Sequence, residues 1–315
     1  MIIKSDTGII TNTDTPNLID SQKVSMRKNP VKIAIASGKG GTGKTFISTN
    51  LFAILSQQNI PVSLVDCDAE EPNDHFFFIG DLIEEKVVTV RIPSINSESC
   101  RFCGKCHEYC NYNAIFYLPM HHQISVLEEL CHSCGACLVA CGHHAITEKE
   151  MNIGHIRTFF IKEGNSFIEA RVNIGVYSPV NVIKAAIKEA DNQNIILLDS
   201  PPGTSCPFIH TVATADYVVL VAEPTPFGMS DFKKSIEVLK KLNKPYGVII
   251  NKSTLGNRNL YEYIEQEQIE LLMKIPYESE IAVSYSEGKI ISDLHPKWHK
   301  RFEILYEQIK EKTCK

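Results

Sequence analysis

Apolar residues in this chain gather in short unbroken runs rather than in strict alternation. Such runs occupy 31–36, 62–65, 195–198, 217–222, 246–250 and 271–275. Between most of them the apolar residues recur every three or four positions, at 45–57, 179–190, 230–242 and 260–268. Strands without a polar face are covered on both sides, so the alternation predicts an α/β fold: a mostly parallel sheet with helices on both faces. Ligands of such sheets collect at the carboxyl ends of the strands. A further strand is expected at 87–92. Residues 1–30 are rich in Asp, Asn, Ser, Thr and Lys without sustained periodicity and read as a loosely held extension, or as a short hairpin built on Ile2, Ile3, Ile9 and Ile10.

With 315 residues the chain can bury a sizeable core and hold more than one domain. Apolar and charged contents of 43% and 22% are those of a soluble globular protein. A formal charge of -5 gives no bulk attraction to nucleic acid or anionic lipid, so neither is an expected partner. No apolar run approaches the ~20 residues of a membrane span, and the start lacks a signal-peptide core; the expected location is cytoplasmic. There, eleven cysteines do not point to disulfides.

Directly behind the first apolar run, 38–45 reads GKGGTGKT and leads into a helical pattern. A strand, a GxxxxGKT loop and a helix in this order form a phosphate cradle. Gly38, Gly40, Gly41, Thr42 and Gly43 let backbone N–H groups close on phosphate oxygens, aided by the positive end of the helix. Lys44 would reach the β and γ phosphates of ATP, and the Thr45 hydroxyl would take a place on Mg2+. The 62–65 run ends in Asp66-Cys67-Asp68 followed by Pro72-Asn73, where two carboxylates can address Mg2+ and an attacking water. After 195–198 stands Asp199-Ser200-Pro201-Pro202-Gly203-Thr204. An Asp there suits the hydration shell of Mg2+, and the Gly203 N–H can be presented to a γ phosphate. Asn251 and Lys252 follow 246–250, and an Asn amide both donates and accepts.

Lys39 makes the loop KGGTGKT, which resembles the deviant Walker A of the MinD, Mrp and nitrogenase iron protein class of ATPases. DxD followed by PN resembles the switch I of that class, and DSPPGT its switch II. The resemblance covers about 31–90 and 155–315. It implies a P-loop NTPase that forms a homodimer across the nucleotide, with Lys39 reaching the partner's ATP, Asp68 orienting the hydrolytic water and Asn251 reading adenine.

Between these motifs, Cys100, Cys103, Cys106 and Cys110 form CxxCxxCxxxC, and Cys131, Cys134, Cys137 and Cys141 repeat it. Short CxxC steps place thiolates around a soft metal centre. Two copies resemble a bacterial two-cluster ferredoxin, which implies two 4Fe-4S clusters in a small inserted α+β domain. In that family the fourth Cys crosses over, giving Cys100, Cys103, Cys106 and Cys141 to one cluster and Cys131, Cys134, Cys137 and Cys110 to the other. Asn111 and Gly142 stand where that family usually has Pro. Zinc is the rival metal, although it leaves the third Cys of each run unexplained. Cys67 lies within the switch I-like segment and Cys206 just after the switch II-like one; either could sense or ligate at a dimer interface, or simply be buried; Cys314 is a tail thiol. Trp298, Phe302, Leu305 and Ile309 share one helical face, suited to closing the core or to a membrane surface.

The expected organisation is an extension at 1–30, an ATPase at 31–92 and 151–315, and a ferredoxin domain inserted at 93–150. The leading functional expectation is nucleotide-gated electron transfer to an unknown redox partner. Alternatives are an Mrp-like iron–sulfur cluster assembly or carrier ATPase, delivering to an acceptor protein, and a MinD-like positioning ATPase.

Overall fold

A computed structural model describes residues 30–190 and 193–313. The Ile2, Ile3, Ile9 and Ile10 hairpin and Cys314 lie outside the described residues. The elements run β1 (Val31–Ala36), α1 (Lys44–Gln57), β2 (Val62–Asp66), β3 (Asp81–Ile95), α2 (Lys105–Glu108), β4 (Ile115–Leu118), β5 (Gln123–Val126), α3 (Ala136–Ala140), β6 (Ile146–Lys162) and β7 (Asn165–Val172). They continue through α4 (Val180–Glu189), β8 (Ile195–Asp199), α5 (Cys206–Thr214), β9 (Tyr217–Ala222), α6 (Pro226–Lys241), β10 (Tyr246–Ile250) and α7 (Asn259–Gln266). Last come β11 (Leu271–Lys274), α8 (Ser279–Ser286), α9 (Ile291–Leu294) and α10 (Pro296–Thr313).

Among the described residues the large sheet has nine strands in the order β11-β10-β9-β1-β8-β2-β7-β6-β3. The first seven pair in parallel, and β6 and β3 add an antiparallel edge. The expected mostly parallel sheet with helices on both faces is what the chain forms. One core layer joins Ala34, Val65, Leu198 and Leu220 to Ile183 of α4, Phe208 of α5 and Ile236 of α6; the other joins Ile33, Leu64, Leu197 and Val219 to α1 and α10. Helix α1 is buried nearly all round because α9 and α10 cover its outer side. Asn50 Oδ1 accepts from the Ser292 backbone at 2.9 Å there, and the Phe46 and Phe302 rings meet edge to face. Trp298, Phe302, Leu305 and Ile309 are all buried against this layer, so the apolar face of α10 closes the core.

The antiparallel edge was not expected. Strand β3 pairs β6 from Asp81↔Phe160 to Ile95↔Ile146, while β7 pairs only Gly154 to Lys162 of β6. The two strands therefore leave the sheet as a ribbon, and 96–145 sit between their far ends. The sequence signal is weak because the residues of β3 up to Val87 are exposed on both faces, which leaves no apolar stripe to read.

Candidate nucleotide site and cysteine segment

The loop after β1 wraps the positive end of α1. Gly41 and Gly43 take φ of +74° and +95°, a region open mainly to glycine. A Cβ on Gly43 would stand 2.3 Å from Asn251 Nδ2, and one on Gly38 equally close to the Asp231 carbonyl oxygen. Gly40 is exposed, and Thr42 is buried. Lys44 is buried, whereas Lys39 is half-exposed, its carbonyl accepting from the Ser37 and Thr42 hydroxyls at 2.7 and 3.4 Å.

The neighbouring strand ends bring carboxylates to the start of α1. Thr45 Oγ1 donates to Asp199 Oδ2 at 2.7 Å and lies 3.2 Å from Asn73 Oδ1. Asp66 is taken up by the chain itself: it accepts the N–H groups of Asp68, Asn73 and Asp74 at 3.0, 2.8 and 3.1 Å. It is thus the residue that folds this loop, while Asp68 stays half-buried. Burial pushes the Asp68 carboxyl up to about 6, with Lys44 opposing and Asp199 reinforcing the shift. Burial likewise raises Asp66, Asp74 and Asp199, with Asp199 adding to the shifts of the other two; Lys44 and Thr45 oppose it at Asp199. Asp199 Oδ1, buried without a partner on the carboxylate that accepts from the Thr45 hydroxyl, leaves an oxygen open to a divalent cation at this position.

Two sequence-predicted residues are otherwise engaged. The Gly203 N–H donates to the Ser37 carbonyl at 3.2 Å, so its proposed phosphate role requires an exchange of that bond. Asn251 donates from Nδ2 to the Thr42 carbonyl at 2.8 Å and accepts the Lys252 N–H at 2.9 Å, which fastens the amide to the phosphate loop. It still walls a cavity of about 270 Å3, opposite Phe46, Pro276, Tyr277, Ile281 and Tyr285, close in size to the smaller ligand pockets. The residues from Pro276 onward were missed because no motif marks the turn after β11. Asp74 was missed too: it follows Pro72-Asn73 directly but reads as the start of an apolar run, HFFFI. Lys252 Nζ pairs with the buried Glu223 at 2.5 Å, beside the Gly41 carbonyl.

Cys67 is fully buried with Sγ on the Val65 carbonyl, and burial raises its thiol well above the usual range; it is a core residue. Cys206 is exposed at the first turn of α5.

The cysteine segment is built twice at a spacing of 31 residues. Phe102 and Ser133 share φ of +48° and +54°, Gly104 and Gly135 +77° and +72°, and Asn113 and His144 +52°. The turns aim matching N–H groups at sulfur: Phe102 to Cys100 at 3.4 Å and Ser133 to Cys131 at 3.5 Å, Ala114 to Cys110 at 3.3 Å and Ala145 to Cys141 at 3.4 Å. Cys100, Cys103, Cys106 and Cys141 line one cavity with Ile95 and Ile124, so a late cysteine joins the first run. In the second run, Cys110 and Cys134 lie close enough to Cys131 for their charges to act on its thiol. Burial pushes the Cys137 thiol up to about 11 and raises Cys106 and Cys131, so a bound metal would be needed to hold them as thiolates. Among the described residues no three Cys, His, Asp or Glu side chains stand as a set that could hold a metal ion; the segment offers donor chemistry rather than a closed coordination shell.

This segment also touches the ATPase body. The His132 ring stacks on Tyr112 at 3.7 Å and meets Tyr177, in the loop before α4, at 4.8 Å. Cys131, His132, Tyr177 and Cys206 line one cavity of about 210 Å3.

Residues 33–291 match the model of the CobQ/CobB/MinD/ParA nucleotide binding domain. An uncharacterized protein of Methanocaldococcus jannaschii is 33% identical over 286 residues, 89% of this chain and 97% of the relative. An iron-sulfur cluster carrier protein of Rickettsia bellii is 27% identical over 83% of this chain and 66% of the relative. The fold is shared with the septum site-determining protein MinD of Pyrococcus horikoshii, at a TM-score of 0.54 and 21% identity over 89% of this chain and 96% of that one.

Proposed function

Because the chain belongs to the CobQ/CobB/MinD/ParA nucleotide-binding family, as a P-loop ATPase of MinD/ParA type, we propose that it hydrolyses ATP between two copies of itself and couples this cycle to electron transfer through two 4Fe-4S clusters. In this reading Lys44 binds the β and γ phosphates from within the chain, and Lys39 supplies a second positive charge to the partner copy's nucleotide. Thr45 and Asp199 hold Mg2+, which neutralises phosphate charge when bound, and Asp68 orients the attacking water. The cavity beside Asn251 takes the adenine end.

The observation that carries the redox half is the repeated cradle: eight cysteines, each run framed by the same pair of N–H···S bonds. Clusters bound there supply one-electron chemistry. The chain's part is to offer four thiols to each and to surround them with Ile95, Ile115, Ile124 and Ile146. Eight cysteines in two matched runs within one chain favour resident redox centres. The carrier reading is supported instead by the name of the Rickettsia relative. Anaerobic iron and sulfide analysis with electron paramagnetic resonance is expected to give about eight iron per chain and centres that cycle reversibly. Loss of clusters to an apo acceptor, with no reversible cycle, would establish the carrier reading; stoichiometric zinc without a reducible centre would overturn both.

A further inference from the structure

Asp74 is the buried charge that the nucleotide-site scheme does not use. It is fully buried at the first turn beyond the loop that Asp66 folds; its carboxyl faces that of Asp199, and among the described residues no N–H or O–H donor reaches either oxygen. Its neighbours make this placement costly. Asp66 and Asp199 are both fully buried beside it, and each acts on it as a like charge. Asp66 cannot relieve the repulsion by turning away, because three backbone N–H groups hold it. Lys44 acts on Asp199, whereas the charges that act most strongly on Asp74 are the carboxylates of Asp199, Asp66 and Asp68. An ionised carboxylate buried without a partner costs several kcal/mol, so this group has to be matched by a proton or by a cation.

P-loop sites usually hold Mg2+ through one hydroxyl and one carboxylate, and the remaining oxygens come from nucleotide phosphates and water. This site has more oxygen donors. Asp199 Oδ1 and both Asp74 oxygens are unpartnered, with the Thr45 hydroxyl on the other Asp199 oxygen and Asn73 Oδ1 next to it. We propose that Asp74 is an added divalent-cation ligand, which with Asp199 and Thr45 lets this chain bind an oxygen-preferring divalent ion before nucleotide arrives. A shared proton between Asp74 and Asp199 is the competing arrangement, and an amide at position 74 imitates it.

The inference rests on the nucleotide-site reading and is independent of the cysteine segment. The test uses the full chain, stripped of nucleotide and treated with a chelator, and titrated with Mn2+ alone while free Mn2+ is followed by electron paramagnetic resonance. Expected are about one tight ion per chain and a rise in melting temperature with Mn2+, with binding weakened at least about tenfold in Asp74→Asn. In metal-free solution Asp74→Asn should melt higher than the parent, since it removes the unmatched charge. Asp74→Leu, which leaves no donor, should repeat both effects if the amide variant fails to fold. Retention of full Mn2+ affinity by these variants overturns the proposal in favour of the shared proton. So does a parent chain that binds Mg-ATP but no Mn2+ alone, a result that leaves the nucleotide reading intact.

Discussion

The ATPase body and the cysteine segment reach a defined structure by different means. The body buries two continuous apolar layers, one on each face of its sheet, with large side chains such as Trp298, Phe167 and Phe208 fully enclosed. The segment has a core of Cys106, Ile115 and Cys137 with six partly buried neighbours. At roughly 25 cal/mol per Å2 of apolar surface, such a core cannot offset the ordering of 50 residues. Burial specifies the first region; in the proposed reading, ligation specifies the second.

The largest expected effect separates the two. Cys106→Ala, which removes a buried thiol from the first cradle, is expected to cost most of the metal-derived folding energy, on the order of 10 kcal/mol in structural metal sites. Hydrogen exchange should then show residues 96–145 unprotected while β1, β8 and β9 keep their protection. Trp298→Ala makes the reverse cut: a fully buried ring against Phe302 is lost from the body, at about 3–5 kcal/mol, which should lower its melting temperature and leave the segment's iron content intact. A Cys106→Ala chain with a protected segment would show that burial suffices there too.

Within the body, the two lysines of one loop should behave differently. Lys44 is buried against the Asp199 side, so Lys44→Ala should impair ATP binding and hydrolysis together. Lys39→Ala should bind ATP near normally and hydrolyse it about 100-fold more slowly or worse, the scale for removing one transition-state charge contact. Single-turnover rates beside equilibrium binding separate these outcomes; wild-type hydrolysis by Lys39→Ala would remove the argument for a shared site.

These contrasts also explain what could be read in advance. The six parallel strands and the helices between them were legible because continuous apolar runs of strand length have one economical burial. The phosphate loop and the cysteine repeat were legible because each needs particular residue types at fixed spacing. The antiparallel ribbon was not, since the exposed stretch from Asp81 to Val87 carries no stripe. Asp66 was read as one of two equivalent carboxylates, yet its partners are backbone N–H groups, and no sequence pattern distinguishes such an Asp from Asp68. Asp74 escaped because its neighbour in the fold, Asp199, lies 125 positions away in sequence.

The smallest expected effect joins the two regions instead of separating them. The loop after β2 is fastened to β7, the strand beside the ribbon: the Ala69 carbonyl accepts from Val172 at 2.9 Å, and His75 Nδ1 lies 3.2 Å from Glu169 Oε2. Glu169 in turn pairs with Arg157 of β6 at 2.5 Å, on the strand that leads back to the cysteines. A second link is the ring contact of His132 with Tyr177, beside Cys206 at the end of switch II. If ATP reorders the switches, both links transmit that change to the segment. Coupling of binding equilibria is reciprocal and typically amounts to ~1–3 kcal/mol. For a one-electron couple this is on the order of 40 to 130 mV, from ~59 mV per tenfold change. Reduction potentials of the iron-loaded protein should therefore shift by this amount with a non-hydrolysable ATP analogue, and analogue affinity should shift to match on reduction. Tyr177→Ala, which removes the exposed ring and no ligand, should reduce the shift without changing iron content. Equal potentials with and without the analogue would mean that the segment rides on the ATPase without sensing it.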